Sequence, residues 1–212
     1  MKYVDLTNPT INEYMLNLTP PRAKVLAEME QYAKENNFPI IGPLVGRFLH
    51  QLVHLTKATR IFEMGSGYGY SAIWFSTAFK EGGTVECTEM DSGNIARGKK
   101  YTSEAGVDGH ITWHVGDALA SMDKATGVYD IILNDVDKEQ YPRALEIAWP
   151  KLRRGGIMIT DNVLWSGRIV EENPPSATTA GILEFNKRVY ALPDSFCSLM
   201  PLRDGLMLAV KV

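Results

Sequence analysis

The 212-residue chain carries a formal net charge of −3, with 45% hydrophobic and 22% charged residues. That length suits one sizeable domain and is short for two, and the composition is that of an ordinary globular protein. A slightly acidic chain offers no general field for a polyanion, so a nucleic-acid partner is not expected.

No apolar run approaches the roughly 18 to 20 residues that span a bilayer. Met1 to Leu18 mixes Lys2, Asp5, Asn8, Asn12 and Glu13 in place of a basic-then-apolar leader. The expectation is therefore no membrane partner and a cytoplasmic address, with Cys87 and Cys197 as separate reduced thiols in apolar surroundings. The first sixty residues read as helical. Pro20-Pro21 is placed to start a helix in which Val25, Leu26, Met29, Tyr32 and Ala33 share a face. After a break at Phe38 to Pro43, Leu44, Val45, Phe48, Leu49, Leu52 and Val53 form a second stripe. Residues 1–58 are expected as a helical cap on a core of residues 59–212, the whole making one domain.

From Arg60 onward strands and helices alternate. The predicted strands are Ile61 to Met64, Thr84 to Thr88, Ile111 to Val115, Tyr129 to Leu133 and Ile157 to Thr160, the last introduced by Gly155-Gly156. The predicted helices are Ser71 to Phe79, Asn94 to Glu104, a brief one near Leu119, and Pro142 to Leu152. Continuous apolar strands alternating with amphipathic helices predict an α/β fold with a doubly wound, mostly parallel sheet. Ser195 to Met200 and Leu206 to Val212, joined by Pro201-Leu202-Arg203-Asp204-Gly205, read as a C-terminal hairpin able to add an antiparallel edge.

Glu63-Met64-Gly65-Ser66-Gly67-Tyr68-Gly69-Tyr70-Ser71 lies where the first of these strands meets its helix. Glycines there let the backbone turn sharply and let a ligand approach closely. A dinucleotide fingerprint would need glycine where Tyr70 stands, and Glu63 would repel a pyrophosphate while tolerating an ammonium or sulfonium. Glu89 closes the next strand 24 residues after Gly65, where an acid can accept from both ribose hydroxyls. The loop is thus read as holding a nucleoside without a diphosphate.

Two polar groups follow the later strands: Asn134-Asp135-Val136-Asp137-Lys138 and Asp161-Asn162. In open parallel sheets ligands sit beyond the carboxyl ends of the strands, so both groups are expected to face the crevice of the glycine loop. Asp135, Asp161 and Asn162 offer hard oxygen ligands suited to Mg²⁺, Mn²⁺ or Ca²⁺. Lys138 beside a bound dication would have its charged form disfavoured and could serve as a base. Loop acids, helix caps and a solvated lysine are the structural alternatives. His50 and His54 stand at i, i+4, but Gln51 replaces the glutamate of a zinc-protease helix and no third ligand is evident, so a structural role is expected. Trp74, Trp113 and Trp149 read as packing residues.

These motifs, in this order, resemble the cation-dependent O-methyltransferases, the family of catechol and caffeoyl-CoA O-methyltransferases. The match runs from about Ile40 to the C-terminus. It rests on E-M-G-S-G-Y-G-Y-S at Glu63 to Ser71, D-V-D-K at Asp135 to Lys138, D-N-V-L-W-S-G at Asp161 to Gly167 and D-G-L-M-L-A at Asp204 to Ala209. The resemblance implies a seven-stranded Rossmann-like domain, usually a homodimer in bacterial and plant members. It implies S-adenosylmethionine as cofactor, with Glu89 on the ribose, Glu63, Ser71 and the backbone of Ile41 and Gly65 around the methionine end, and Asp117 in the loop bordering the adenine. It also implies Asp135, Asp161 and Asn162 as ligands of a divalent cation, Mg²⁺ first among them, and Lys138 as general base. The acceptor would be a small phenolic, catechol-like compound. Val136 and Asp137 depart from the histidine and tryptophan of the animal catechol enzyme. Val170 to Thr179, with Pro174-Pro175, is not a clear copy of the plant substrate-recognition insertion, and Trp165 is a candidate pocket wall.

Two other functions fit the same outline. A NAD(P)-dependent oxidoreductase on a related fold is opposed by Tyr70 and by the lack of an obvious Tyr-x-x-x-Lys. A non-catalytic nucleoside-binding relative is opposed by the intact acid, amide and lysine set.

Overall fold

The computed structural model describes residues 9–80, 82–171 and 176–212. Among them, seven strands form one sheet in the order β3-β2-β1-β4-β5-β7-β6. These are β1 (Arg60–Met64), β2 (Thr84–Glu89), β3 (Ile111–Val115), β4 (Tyr129–Asn134), β5 (Leu152–Thr160), β6 (Ser195–Met200) and β7 (Leu206–Lys211). Strands β1 to β5 pair in parallel, while β7 runs antiparallel between β5 and β6. The doubly wound Rossmann-like sheet with its antiparallel hairpin is therefore observed.

The period of two along each strand divides the core between the faces. Ile61, Ile131, Leu133, Ile157 and Ile159 pack on one face with α2 (Lys24–Asn36), α3 (Gly42–Thr56) and α4 (Tyr70–Ser76). Phe62, Met64, Ile132 and Met158 pack on the other, with α6 (Ala118–Lys124), α7 (Tyr141–Ala148) and α8 (Ala177–Ala191). The first face uses the apolar stripes of the N-terminal helices, including Met29, Val45 and Leu49, all fully buried. Ahead of them α1 (Pro9–Leu18) has no fully buried residue, and α5 (Ser92–Glu104) connects β2 to β3.

The structure corrects the sequence at three places. The helix predicted over Pro142 to Leu152 ends at Ala148 and becomes a single 3-10 turn, Trp149–Lys151. Lys151 caps the neighbouring α6 there, its Nζ donating to the carbonyls of Met122, Asp123 and Ala125. Strand β5 accordingly starts at Leu152, five residues before the predicted Ile157, and passes through the glycine pair with Gly155 at φ +73°. Helix α4 stops at Ser76 and not at Phe79, where Thr77 turns its hydroxyl back onto the carbonyl of Ile73. Helix α8 has no counterpart among the predicted elements. Its Thr178, Thr179 and Gly181 weaken the local helix signal, and Ser176 starts it by accepting from the Thr179 N–H. Within Val170 to Thr179, residues 172–175, including the proline pair, lie outside the described part.

Candidate active site

Strand order reverses at β1, whose partners β2 and β4 lead to opposite halves of the sheet. A crevice is expected beyond the carboxyl ends at such a switch point. A cavity of about 360 Å³ occupies it, lined by residues following β1, β2, β3, β4 and β5. Gly65, Glu89, Asp117, Asp135, Lys138, Asp161 and Asn162 all contribute to this one wall. Seven of the residues singled out in the sequence thus converge from segments almost a hundred positions apart.

The glycine loop closes the floor. Gly65 has φ +87°, and a Cβ there would stand 2.6 Å from the Asp135 carbonyl oxygen. Only glycine lets the loop after β1 touch the loop after β4. The Thr88 hydroxyl fastens the loop from the next strand, donating to the Glu63 carbonyl and accepting from the Gly65 N–H, both at 2.9 Å.

Glu63 and Ser71 lie beneath this floor and do not line the cavity. The Ser71 hydroxyl donates to one carboxylate oxygen of Glu63, and the Cys87 thiol contacts the other at 3.4 Å. Complete burial beside neutral donors pushes the Glu63 carboxyl up to about 7. Ile41 is likewise buried, as the residue preceding α3, while its neighbours Pro39 and Ile40 form the wall.

At the β2–β3 side Glu89 is half-buried, and one of its oxygens accepts from the Asp91 N–H at 2.8 Å. Among the described residues the other accepts no hydrogen bond. Met90 beside it is 74% exposed, an apolar side chain at the cavity rim. Asp117 caps α6, accepting from the Ala120 N–H at 2.7 Å.

At the β4–β5 side the acids gather. Asp161 is 2% exposed, and its Oδ1 is buried without a hydrogen-bond partner. Its nearest cation, Arg203 Nη1, stands 3.7 Å from Oδ2. Burial and then repulsion from Asp135 raise the Asp161 carboxyl well above the usual carboxylate range. Burial raises Asp135 as well, against the pull of Lys138, whose Nζ donates to Asp135 Oδ1 at 3.0 Å. The Asn162 amide nitrogen contacts Asp204 Oδ2 at 3.4 Å, and among the described residues its oxygen has no hydrogen-bond partner. Tyr141 holds the β5 end in place by donating to the Asp161 carbonyl at 2.8 Å.

Two repelling carboxylates, the buried Asp161 with an orphaned oxygen and the half-buried Asp135, and an amide oxygen form a donor set that fits a hard divalent cation. Among the described residues no group of three or more His, Cys, Asp or Glu side chains is arranged to hold a metal. The set is two acids and an amide.

The profile of the O-methyltransferase family matches residues 19–212. The chain belongs to that family. Catechol O-methyltransferase domain-containing protein 1 of Mus musculus is 31% identical over 171 residues, 78% of this methyltransferase and 65% of the mouse protein, so the chain spans just under two thirds of that relative. Catechol O-methyltransferase of Niastella koreensis is 26% identical, with 95% of this chain and 96% of the relative covered. The O-methyltransferase of Bacillus cereus, solved in complex with SAH, superposes with a TM-score of 0.87 at 26% identity, covering 96% of this chain and 97% of that one. TomG of Streptomyces achromogenes, involved in tomaymycin synthesis and solved with SAM, gives 0.86 at 26% identity, covering 96% of each chain. The oxidoreductase alternative is set aside by this membership.

The cavity of this methyltransferase also includes residues that the sequence did not single out. Arg203, Gln140 and Gly116 line the cavity. Arg203 was visible only as part of a turn, though it directly precedes the D-G-L-M-L-A segment. None of the four histidines lines this cavity: His50 and His54 face each other at 3.1 Å, His110 meets the Gly83 carbonyl and His114 meets Glu86. Cys87 and Cys197 are both free, the first buried and the second half-buried. Among the described residues no helix is long and apolar enough to cross a membrane.

Proposed function

We propose that this protein transfers the methyl group of S-adenosylmethionine to one hydroxyl of a small vicinal dihydroxy aromatic, with a divalent cation held by Asp135, Asp161 and Asn162. The observation that carries the reading is the orphaned Oδ1 of Asp161, buried beside a second carboxylate in the cavity that Glu89 and the glycine loop also line. SAH- and SAM-bound relatives and a relative named for catechol support it. When bound, a divalent cation would neutralise the acid pair and acidify a hydroxyl beside it.

In this reading Glu89 accepts from the ribose hydroxyls, Met90 offers an apolar contact to the base, and the backbone at Gly65 lets the methionine end approach closely. Glu63 and Ser71 support that end from below. Lys138 takes the proton from the reacting hydroxyl. The oxygen then forms its bond to the methyl carbon as the carbon–sulfur bond breaks, leaving a neutral thioether. Two adjacent hydroxyls chelate better than one, so positioning favours a catechol over a simple phenol. The reading extends to a cytoplasmic homodimer acting on a phenolic small molecule.

Chelation with EDTA is expected to abolish turnover of a catechol while SAH still binds within about threefold of its unchelated affinity. Asp161→Ala is expected to do the same. Full turnover in EDTA, or in that variant, would overturn the cation assignment.

A further inference from the structure

Arg203 sits in the turn between β6 and β7, and its backbone is unusual. Its φ of +57° lies in the left-handed region, where a residue with a branched-free but bulky side chain is disfavoured relative to glycine or asparagine. The turn is nonetheless held firmly. The Val163 N–H donates to the Gly205 carbonyl at 3.1 Å, the Leu164 N–H donates to the Asp204 carbonyl at 2.9 Å, and the Ser166 N–H donates to the Asp204 carboxylate. A Cβ on Gly205 would stand 2.9 Å from the Leu164 nitrogen, so the turn and the loop after β5 are in close contact.

The side chain that this turn presents is under-used. Arg203 lines the cavity, its side chain is 40% exposed, and its one ion pair among the described residues, to Asp161 at 3.7 Å, is longer than a hydrogen bond. Among the described residues no side-chain hydrogen bond is made by Arg203, whereas Lys138, the other cation in the lining, is engaged by Asp135 at 3.0 Å. A guanidinium has five donors in a fixed fork that matches a carboxylate.

We propose that Arg203 recognises a carboxylate inside this cavity and thereby selects anionic aromatic acceptors. This rests on the catechol reading above. Strand order places Arg203 on the β5–β7 side with Asp161, across the sheet from Glu89 and Asp117, which follow β2 and β3. That is the acceptor's side in the proposed arrangement. The carboxylate of the cofactor's methionine is the one other source of the same chemistry, since Gly42, at the start of α3, is within 3.9 Å of Arg203 Nε when given a Cβ.

The test has two arms. In the first, kcat/KM is measured for 3,4-dihydroxybenzoate and for neutral catechol with the wild type, Arg203→Met and Arg203→Lys, in the presence of magnesium. The ratio of the two is expected to fall about tenfold or more in Arg203→Met, the loss typical of a charge-assisted hydrogen bond, with partial recovery in Arg203→Lys. In the second, SAH binding is measured by calorimetry and is expected to change less than twofold. If SAH affinity falls about tenfold while the acceptor ratio holds, the carboxylate recognised is the cofactor's, and selection of anionic acceptors is overturned. If both acceptors lose turnover equally with SAH affinity intact, Arg203 is structural and the proposal falls. Should the wild type methylate neither compound, the catechol reading fails separately, and calorimetric binding of 3,4-dihydroxybenzoate then decides: an affinity unaltered in Arg203→Met overturns the carboxylate role, and a loss of about tenfold keeps it.

Discussion

Lys138 has a crowded setting. Its Nζ contacts Asp135 Oδ1 at 3.0 Å and the Val136 carbonyl at 3.3 Å, and lies 5.5 Å from the Tyr141 ring centre and 6.0 Å from that of Trp165. Methionine keeps the length of the stem and removes the nitrogen. Lys138→Met is therefore expected to lower the methyl-transfer rate by about 10² to 10⁴-fold, the range of a general base, while SAH affinity stays within about threefold. Initial rates and calorimetry measure the two quantities; a variant as fast as wild type would leave the lysine only its ion pair. The neighbouring acids were legible in the sequence because each directly ends an apolar strand. Arg203 was not, because its role depends on where a turn 42 residues beyond Asp161 comes to rest.

The elements hold such residues in place through close backbone approaches. Helix α8 packs directly on the 3-10 turn Lys138–Gln140, and a Cβ at Gly181 would collide with the Lys138 carbonyl and stand 2.9 Å from the Glu139 Cα. Alanine normally favours a helix over glycine by about 1 kcal/mol. Gly181→Ala is nonetheless expected to destabilise the protein by about 1 to 3 kcal/mol, because backbone atoms must move to relieve the overlap. It is expected to slow turnover as well, since the turn that shifts carries Lys138. Denaturant unfolding and initial rates measure both, and a variant more stable than wild type would contradict this packing. Alternation of apolar strands predicted β1 to β4 within one or two residues. The α8 segment was missed because its glycine and threonines suit a contact that local propensity does not register.

For the molecule as a whole, the buried Glu63 couples stability to pH. Its carboxyl is pushed from an ordinary 4.5 up to about 7 by burial, so between these values the folded protein binds more protons than the unfolded chain. Stability from this group is therefore fully present below about 4.5, declines as pH rises toward 7, and levels off above it. The decline from pH 5 to pH 8 is on the order of 2 to 3 kcal/mol. Glu63→Gln is expected to remove that share of the decline, measured as the difference between unfolding free energies at pH 5 and pH 8 in the two proteins. Equal pH dependence in both would mean that Glu63 titrates normally in the fold.

The sequence by itself determined the α/β class, the order of the strands along the chain, the glycine loop and the acids that end the strands. Those features follow from local periodicity and from residue chemistry at strand ends, which neighbouring positions encode. The tertiary structure decided which of the marked residues share a cavity. Glu89, Asp135 and Asp161 line it together, while Glu63 and Ser71, only two residues before and six after Gly65, bond to each other beneath its floor. Side-chain alternation sends Glu63 to the α4 face of the sheet, and only the packing of that helix says what it meets there. The same is true of Arg203, which enters the cavity because the β6–β7 turn is fastened to the loop after β5.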